Sequence, residues 1–190
     1  LDLEAVRLAD LREDLARAEC VLRSADFVSF DLSAMRRADA PAASHSTAAG
    51  FTLEEACRLA RFAGMGYRLS LFHLCEYNPQ FDSHDQTASA CALILWHLID
   101  GFAHRPDDFP LADRSNLLTY RVAVAGPLRE LVFYRHDETC RWWMEVPAAQ
   151  RGSRTRAGGS RLVPCAESDY RQALRDGIPD RWWKAHAYVS

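Results

Sequence analysis

Two short apolar runs set what this chain can fold into. Residues 25–32 (ADFVSFDL) and 67–75 (YRLSLFHLC) are each strand-length, and a helix-length segment lies between them. That segment opens on Thr52 and Glu55, spaced as a capping box, and runs to about Ala63, where Gly64 and Gly66 end it. A strand, a helix and a second strand return the chain to the same edge, so the two runs are expected to pair in parallel. Before them, Leu3, Val6, Leu8, Leu11 and Leu15 give residues 3–18 the spacing of one amphipathic helix. After them comes a long apolar helix to about Phe102, capped by Asp82 or Ser83. The order implies an α/β wind on a parallel sheet, with strands buried on both faces and chemistry at their carboxyl ends.

Beyond residue 105 the pattern changes. Strand-like stretches at 120–124, 130–136 and 140–146, with turns at Gly126-Pro127 and Asp137-Glu138, predict a small antiparallel meander. Residues 150–160 are polar and expected to be mobile, order resumes at 162–164, and a helix follows over 167–175. Ile178-Pro179 then begins a last helix. Two Arg-Trp-Trp triplets, at 141–143 and 181–183, read as core anchors, the terminal pair packing against the meander. The chain thus divides into residues 1–105 and 106–190.

Composition narrows the partners. Of 190 residues 48% are hydrophobic, enough for a sizeable core, and 23 basic against 26 acidic side chains leave no surplus to hold a phosphate backbone. No nucleic acid partner is expected. No run of about 18 apolar residues offers a membrane span, and residues 1–10 do not resemble a signal peptide. Six scattered cysteines without a C-x-x-C pair read as mostly buried, reduced thiols of a cytoplasmic protein.

The chemistry is expected around residues 33–50, a long loop rich in Ala, Ser, Asp and Pro with no sustained period. Ser29-Phe30-Asp31-Leu32 leads into it, Pro41-Ala42 lies within it, and Gly50 ends it. These residues at these distances resemble the third signature of the arginase, agmatinase and formimidoylglutamase family, the ureohydrolases. Cys75-Glu76-Tyr77-Asn78-Pro79 resembles the family's strand-end Glu-x-Asn-Pro segment, closest to formimidoylglutamases. The resemblance covers roughly residues 25–102. It departs at Ser33, where the family has a second Asp, and at Arg37, where Pro, Ala or Gln is usual.

The resemblance implies the C-terminal part of a three-layer arginase-like fold, here with the meander and helical tail appended. It implies a parent reaction, manganese-dependent hydrolysis of a linear amidine C–N bond of the formiminoglutamate, arginine or agmatine type. Asp31 would be a metal ligand, and Glu76, the catalytic candidate, would hold the substrate's amidine. It further implies a small-molecule amidine partner and a homo-oligomer. Alternate strand residues point the same way, so Asp-x-Asp at a strand end aims two carboxylates at one spot. Ser33 offers a neutral hydroxyl instead, which weakens any second metal. The family's Asp-Ala-His-x-Asp and Gly-Gly-Asp-His segments are absent, and the signature stands only 28 residues from an initial Leu1. A truncated chain, inactive alone, is therefore expected. The alternative is a non-catalytic ureohydrolase-like protein with an assembly or ligand-binding role.

Other residues keep two readings. His45 is either a solvated loop residue or a substitute ligand building a mononuclear site with Asp31. Ser33 reads as an inert replacement, since no G-x-S-x-G surrounds it. Arg36, Arg37 and Asp39 form either an exposed ion-paired turn or a carboxylate-recognising step. His84, Asp85 and His97 read as structural.

Overall fold

The computed structural model describes residues 5–109, 115–125, 128–147 and 160–187. They fall into two compact units, Leu1–Pro106 and Asp107–Ser190.

In the first unit, β1 (Phe27–Asp31) and β2 (Leu71–Cys75) pair in parallel, in register from Phe27 with Leu71 to Asp31 with Cys75. The crossover is α3 (Leu53–Gly64). Thr52 Oγ1 accepts the Glu55 N–H and the Glu55 carboxylate accepts the Thr52 N–H, so both halves of the capping box form. α4 (Gln86–Ala103) lies against α3 with backbones nearly touching. A Cβ at Gly64 would meet the Leu98 carbonyl oxygen at 2.2 Å, and one at Gly101 would meet that of Arg61 at 2.3 Å. Phe30, Leu32, Met35, Ala56, Ala60 and Ile94 form the buried core, with Phe72 and Leu74 packed on it.

Three expectations change. The helix over 3–18 is two helices, α1 (Leu8–Glu13) and α2 (Ala16–Leu22). Asp14 divides them: its backbone leaves the helical region at φ −148° and ψ 89°, and its Oδ1 accepts the Ala16 N–H at 3.1 Å. A short acidic side chain that bonds the following backbone competes with the helix ladder. The strands are not buried on both faces. Helices cover the face carrying Phe30, Phe72 and Leu74, while Phe27 and Leu71 on the other are 55% and 58% exposed. Among the described residues the unit therefore has two layers. Finally, the loop over 33–50 is packed, with Met35, Ala40 and Ala42 fully buried and isolated bridges joining Met35 to Phe51 and Arg36 to Thr47. Such bridges follow no period, so periodicity could not reveal them.

In the second unit, β3 (Leu117–Ala123), β4 (Glu130–His136), β5 (Trp142–Pro147) and β6 (Ser160–Cys165) form one antiparallel sheet in chain order. The fourth strand extends the expected three. The turn at Gly126-Pro127 and most of residues 150–160 lie outside the described residues, and Ser160 opens β6. α5 (Glu167–Asp176) brings Tyr170 against Tyr120, Phe133 and Trp142, with ring centroids 5.1–5.5 Å away. α6 (Asp180–Ala187) carries the terminal Trp pair. Of that pair Trp182 is buried, its indole N–H donating to the Glu145 carbonyl at 3.2 Å, whereas Trp183 is 52% exposed. A buried ion pair, Arg141 Nη1 to Asp108 Oδ1 at 3.2 Å, is braced by the Thr139 hydroxyl on Asp108. None of the six cysteines forms a disulfide. Cys20, Cys57 and Cys165 are buried, Cys75 and Cys91 are half-buried, and Cys140 is exposed. No helix among the described residues is long and apolar enough to cross a membrane.

Candidate functional site

The parallel register decides what meets at the sheet's carboxyl end. Asp31 and Cys75 are register partners and the last residues of their strands, so Asp31 and Glu76 leave neighbouring strand ends together, both exposed. Asp31 Oδ1 accepts the Ser33 N–H at 2.7 Å and starts a 3-10 turn over Leu32–Ala34. The strand alternation that would set Ser33 beside Asp31 therefore stops at Asp31. Ser33 Oγ is buried without a hydrogen-bond partner among the described residues.

Glu76 turns sharply after β2, with a left-handed φ of 67°. That conformation costs a non-glycine residue about 1–2 kcal/mol, so neighbouring contacts must impose it. They are present. Tyr77 forms an antiparallel bridge with Ala43, the Asn78 N–H donates to the Ala42 carbonyl at 3.0 Å, and Asn78 Oδ1 accepts the Gln80 N–H at 3.1 Å. Ala42 and Ala43 are thus the part of the loop that grips the Glu76 turn.

The grip reaches α4. The buried Ala42 N–H donates to Thr87 Oγ1 at 3.0 Å, and Thr87 is fully buried. Asp85 occupies the N-cap position without a side-chain cap, and Asp82 does that work instead. Its carboxylate accepts the Thr87 and Ala88 N–H groups at 3.0 and 2.8 Å and the Tyr77 hydroxyl at 3.2 Å. Burial pushes the Asp82 carboxyl up, but these three donors outweigh it and hold it below the usual carboxylate range. Burial first, then donation to Asp82, raises the Tyr77 hydroxyl.

Gly50 closes the other end of the loop. A Cβ there would stand 2.5 Å from the Arg36 nitrogen and the Met35 carbonyl carbon, so the chain passes where no side chain fits. Arg12 on α1 donates to the Gly50 carbonyl at 2.7 Å and to Glu55 at 2.9 Å. The Arg12 guanidinium, helped by the Thr52 N–H, outweighs burial and holds the Glu55 carboxyl below its usual range. Arg36 pairs with Asp39, the ion-paired turn among the two readings of that step, while Arg37 is exposed.

His45 lies exposed on the loop. Among the described residues no three His, Cys, Asp or Glu side chains come together as a set for a metal ion. A dinuclear manganese site does not fit this donor set, in which the end of β1 supplies Asp31 alone where the family signature has a pair of carboxylates on that strand. Sequence reasoning passed over His73, whose Nδ1 lies 3.1 Å from Ser29 Oγ across the paired strands. Residues 29 and 73 each lie two before their strand end, so pairing the runs in parallel would have found them. Beside β1 an apolar pocket of about 370 Å³ is lined by Val28, Phe30, Phe72 and Leu22, with Ser29, Asp31 and Arg17 as its polar lining.

Known proteins give a matching picture of the first unit. The family model described as "Arginase family" matches residues 2–100. Solved structures similar to this chain include the oxidised formiminoglutamase of Trypanosoma cruzi with manganese, 25% identical over 52% of this chain and 36% of that one, with a TM-score of 0.47. The formimidoylglutamase of Bacillus subtilis is 22% identical over 42% and 25%, with a TM-score of 0.41. The arginase of Bacillus caldovelox is 18% identical over 50% and 35%, with a TM-score of 0.46. No curated protein matches. The chain spans little more than a third of the length of the T. cruzi enzyme. With its strand-end Asp31, its Gly50 cradle and its Glu76 turn all inside a match to more than half of its residues, the chain belongs to the arginase family.

Proposed function

We propose that this chain is a ligand-binding member of its family, which takes a small linear amidine or guanidine at the carboxyl ends of β1 and β2 without hydrolysing it. Glu76 accepts the planar amidinium N–H groups, and Asp31 supplies the second negative charge. Two exposed carboxylates on adjacent strand ends suit a delocalised cation, and the 370 Å³ pocket beside Asp31 is large enough for a short carbon chain.

One observation carries the reading. Where the family signature has a second metal-binding carboxylate, Ser33 turns off the strand and buries its hydroxyl. Manganese, present in the T. cruzi structures, would find Asp31 as its strand-end ligand here, with His45 the remaining loop candidate. Hydrolysis of the C–N bond is the second reading, and the retention of Asp31 at the end of β1 favours it.

The test supplies the full chain with manganese and with arginine, agmatine or formiminoglutamate in turn. Amidine binding without urea or formamide release is expected. Manganese-dependent product release would replace the binding reading with the hydrolytic one.

A further inference from the structure

Of the two carboxylates at the strand ends, only Glu76 sits on forced backbone. Its φ is 67°, against −87° at Asp31. An L-residue disfavours that left-handed conformation by a factor of about 5–30. Relaxing φ to its ordinary range would swing the Glu76 side chain, and the chain after it, to a new direction from the end of β2. A Glu76 free to relax would be competent for a ligand only part of the time, and apparent affinity falls in proportion to that fraction.

A closed circuit of hydrogen bonds starts and ends at the next residue. The Tyr77 hydroxyl donates to Asp82 Oδ2 at 3.2 Å, and Asp82 Oδ1 accepts the Thr87 N–H at 3.0 Å. Thr87 Oγ1 accepts the Ala42 N–H at 3.0 Å, and Ala43 bridges back to Tyr77. Thr87 lies fully buried in the first turn of α4, so the circuit is fixed to an 18-residue helix. Its one link between two side chains is the Tyr77–Asp82 bond. The helix does not need that bond, because Asp82 already accepts the Thr87 and Ala88 N–H groups. Nor does the core, since Tyr77 is 38% exposed. What the bond adds is a second tether, beyond the Ala43 bridge, on the residue that leaves the Glu76 turn.

We propose that Tyr77 is a positioning residue for the amidinium site: through its hydroxyl on Asp82 it holds Glu76 in the left-handed turn, so that the carboxylate meets the ligand in its binding conformation. Tyr77 acts through Glu76 and not by touching the ligand. That role rests on the amidine-binding reading, and it makes affinity depend on a bond outside the site.

A double-mutant cycle tests it, with agmatine titrated calorimetrically into the full chain, Tyr77→Phe, Glu76→Ala and the double variant. Tyr77→Phe keeps the aromatic ring and removes the hydroxyl alone, and Asp82 retains its two helix donors, so helix content by circular dichroism is expected to stay unchanged. Its affinity for agmatine is expected to fall about 5- to 10-fold, within the bias against the left-handed turn. The Glu76→Ala protein binds through Asp31 alone and has no carboxylate left to position. There the added Tyr77→Phe is expected to change affinity by less than about two-fold. A purely structural tyrosine would weaken both backgrounds equally, and that additivity overturns the proposal. So does a Tyr77→Phe protein that binds as tightly as wild type. A wild type that binds no agmatine removes the amidine-binding reading itself, whereas wild-type binding with either of the former results removes the role of Tyr77 alone.

Discussion

Gly50→Ala puts the placement of the site under its most local stress. The new methyl would lie 2.5 Å from the Arg36 nitrogen and the Met35 carbonyl carbon and 2.7 Å from the Ala34 carbonyl oxygen, all backbone atoms. No side-chain rotation relieves such a contact, so the loop over 33–50 must lift away from Met35. Met35 is itself fully buried, and the Phe51 N–H donates to the Ala34 carbonyl at 2.8 Å. Forced backbone movement in a packed region costs about 1–3 kcal/mol. For a unit of about 100 residues that corresponds to a fall in Tm of roughly 5–20 °C. Thermal unfolding gives the total, and amide exchange read by mass spectrometry gives the place. Exchange is expected to quicken across residues 34–51 and to stay unchanged in β3 to β6. A variant within about 0.5 kcal/mol of wild type, or with an unaltered exchange map, would refute the reasoning.

Three further predictions follow from the same contacts. Thr87→Val keeps the shape of a buried side chain but leaves the Ala42 N–H without its acceptor, and should cost about 1–3 kcal/mol in chemical denaturation. Asp108→Ala removes the carboxylate to which the buried Arg141 guanidinium donates and should cost about 3–5 kcal/mol, with the loss confined to the second unit in amide exchange. The folded-state carboxyls of Asp82 and Glu55 both lie below their usual range. Their stabilisation is therefore complete above the ordinary carboxyl pKa of about 4 and is lost as pH falls through the lowered values. Between pH 5 and pH 2 Asp82→Asn should show a shallower decline in Tm than wild type, and equal slopes would contradict the assignment.

How much was legible in the sequence depended on how local its causes were. The capping box at Thr52 and Glu55 is a contact three residues long, and it forms as read. The parallel pairing follows from one helix-length crossover between two apolar runs. Asp31 and Glu76 were visible because the segments that carry them, at the ends of the two apolar runs, resemble the family's signatures. The break at Asp14 was hidden by a hydrophobic period that continues across it, and only the Asp14 bond to the Ala16 N–H shows why the helix stops. Burial on both faces was inferred from apolar sequence, yet a strand's exposure depends on what covers it, and Phe27 and Leu71 are bare. Thr87 acts through Ala42, more than forty residues away, so no spacing rule could single it out, whereas His73 follows from Ser29 once the two strand ends are aligned.

The central claim is that Asp31 and Glu76 together hold an amidinium. Calorimetric titration of agmatine into the full chain, beside Glu76→Gln and Asp31→Asn, tests it most directly. Saturable binding at one site is predicted for the wild type, and each substitution should weaken it roughly 10- to 100-fold by replacing a charged acceptor with a neutral amide. Binding of equal strength in all three proteins, or none in the wild type, would contradict the account.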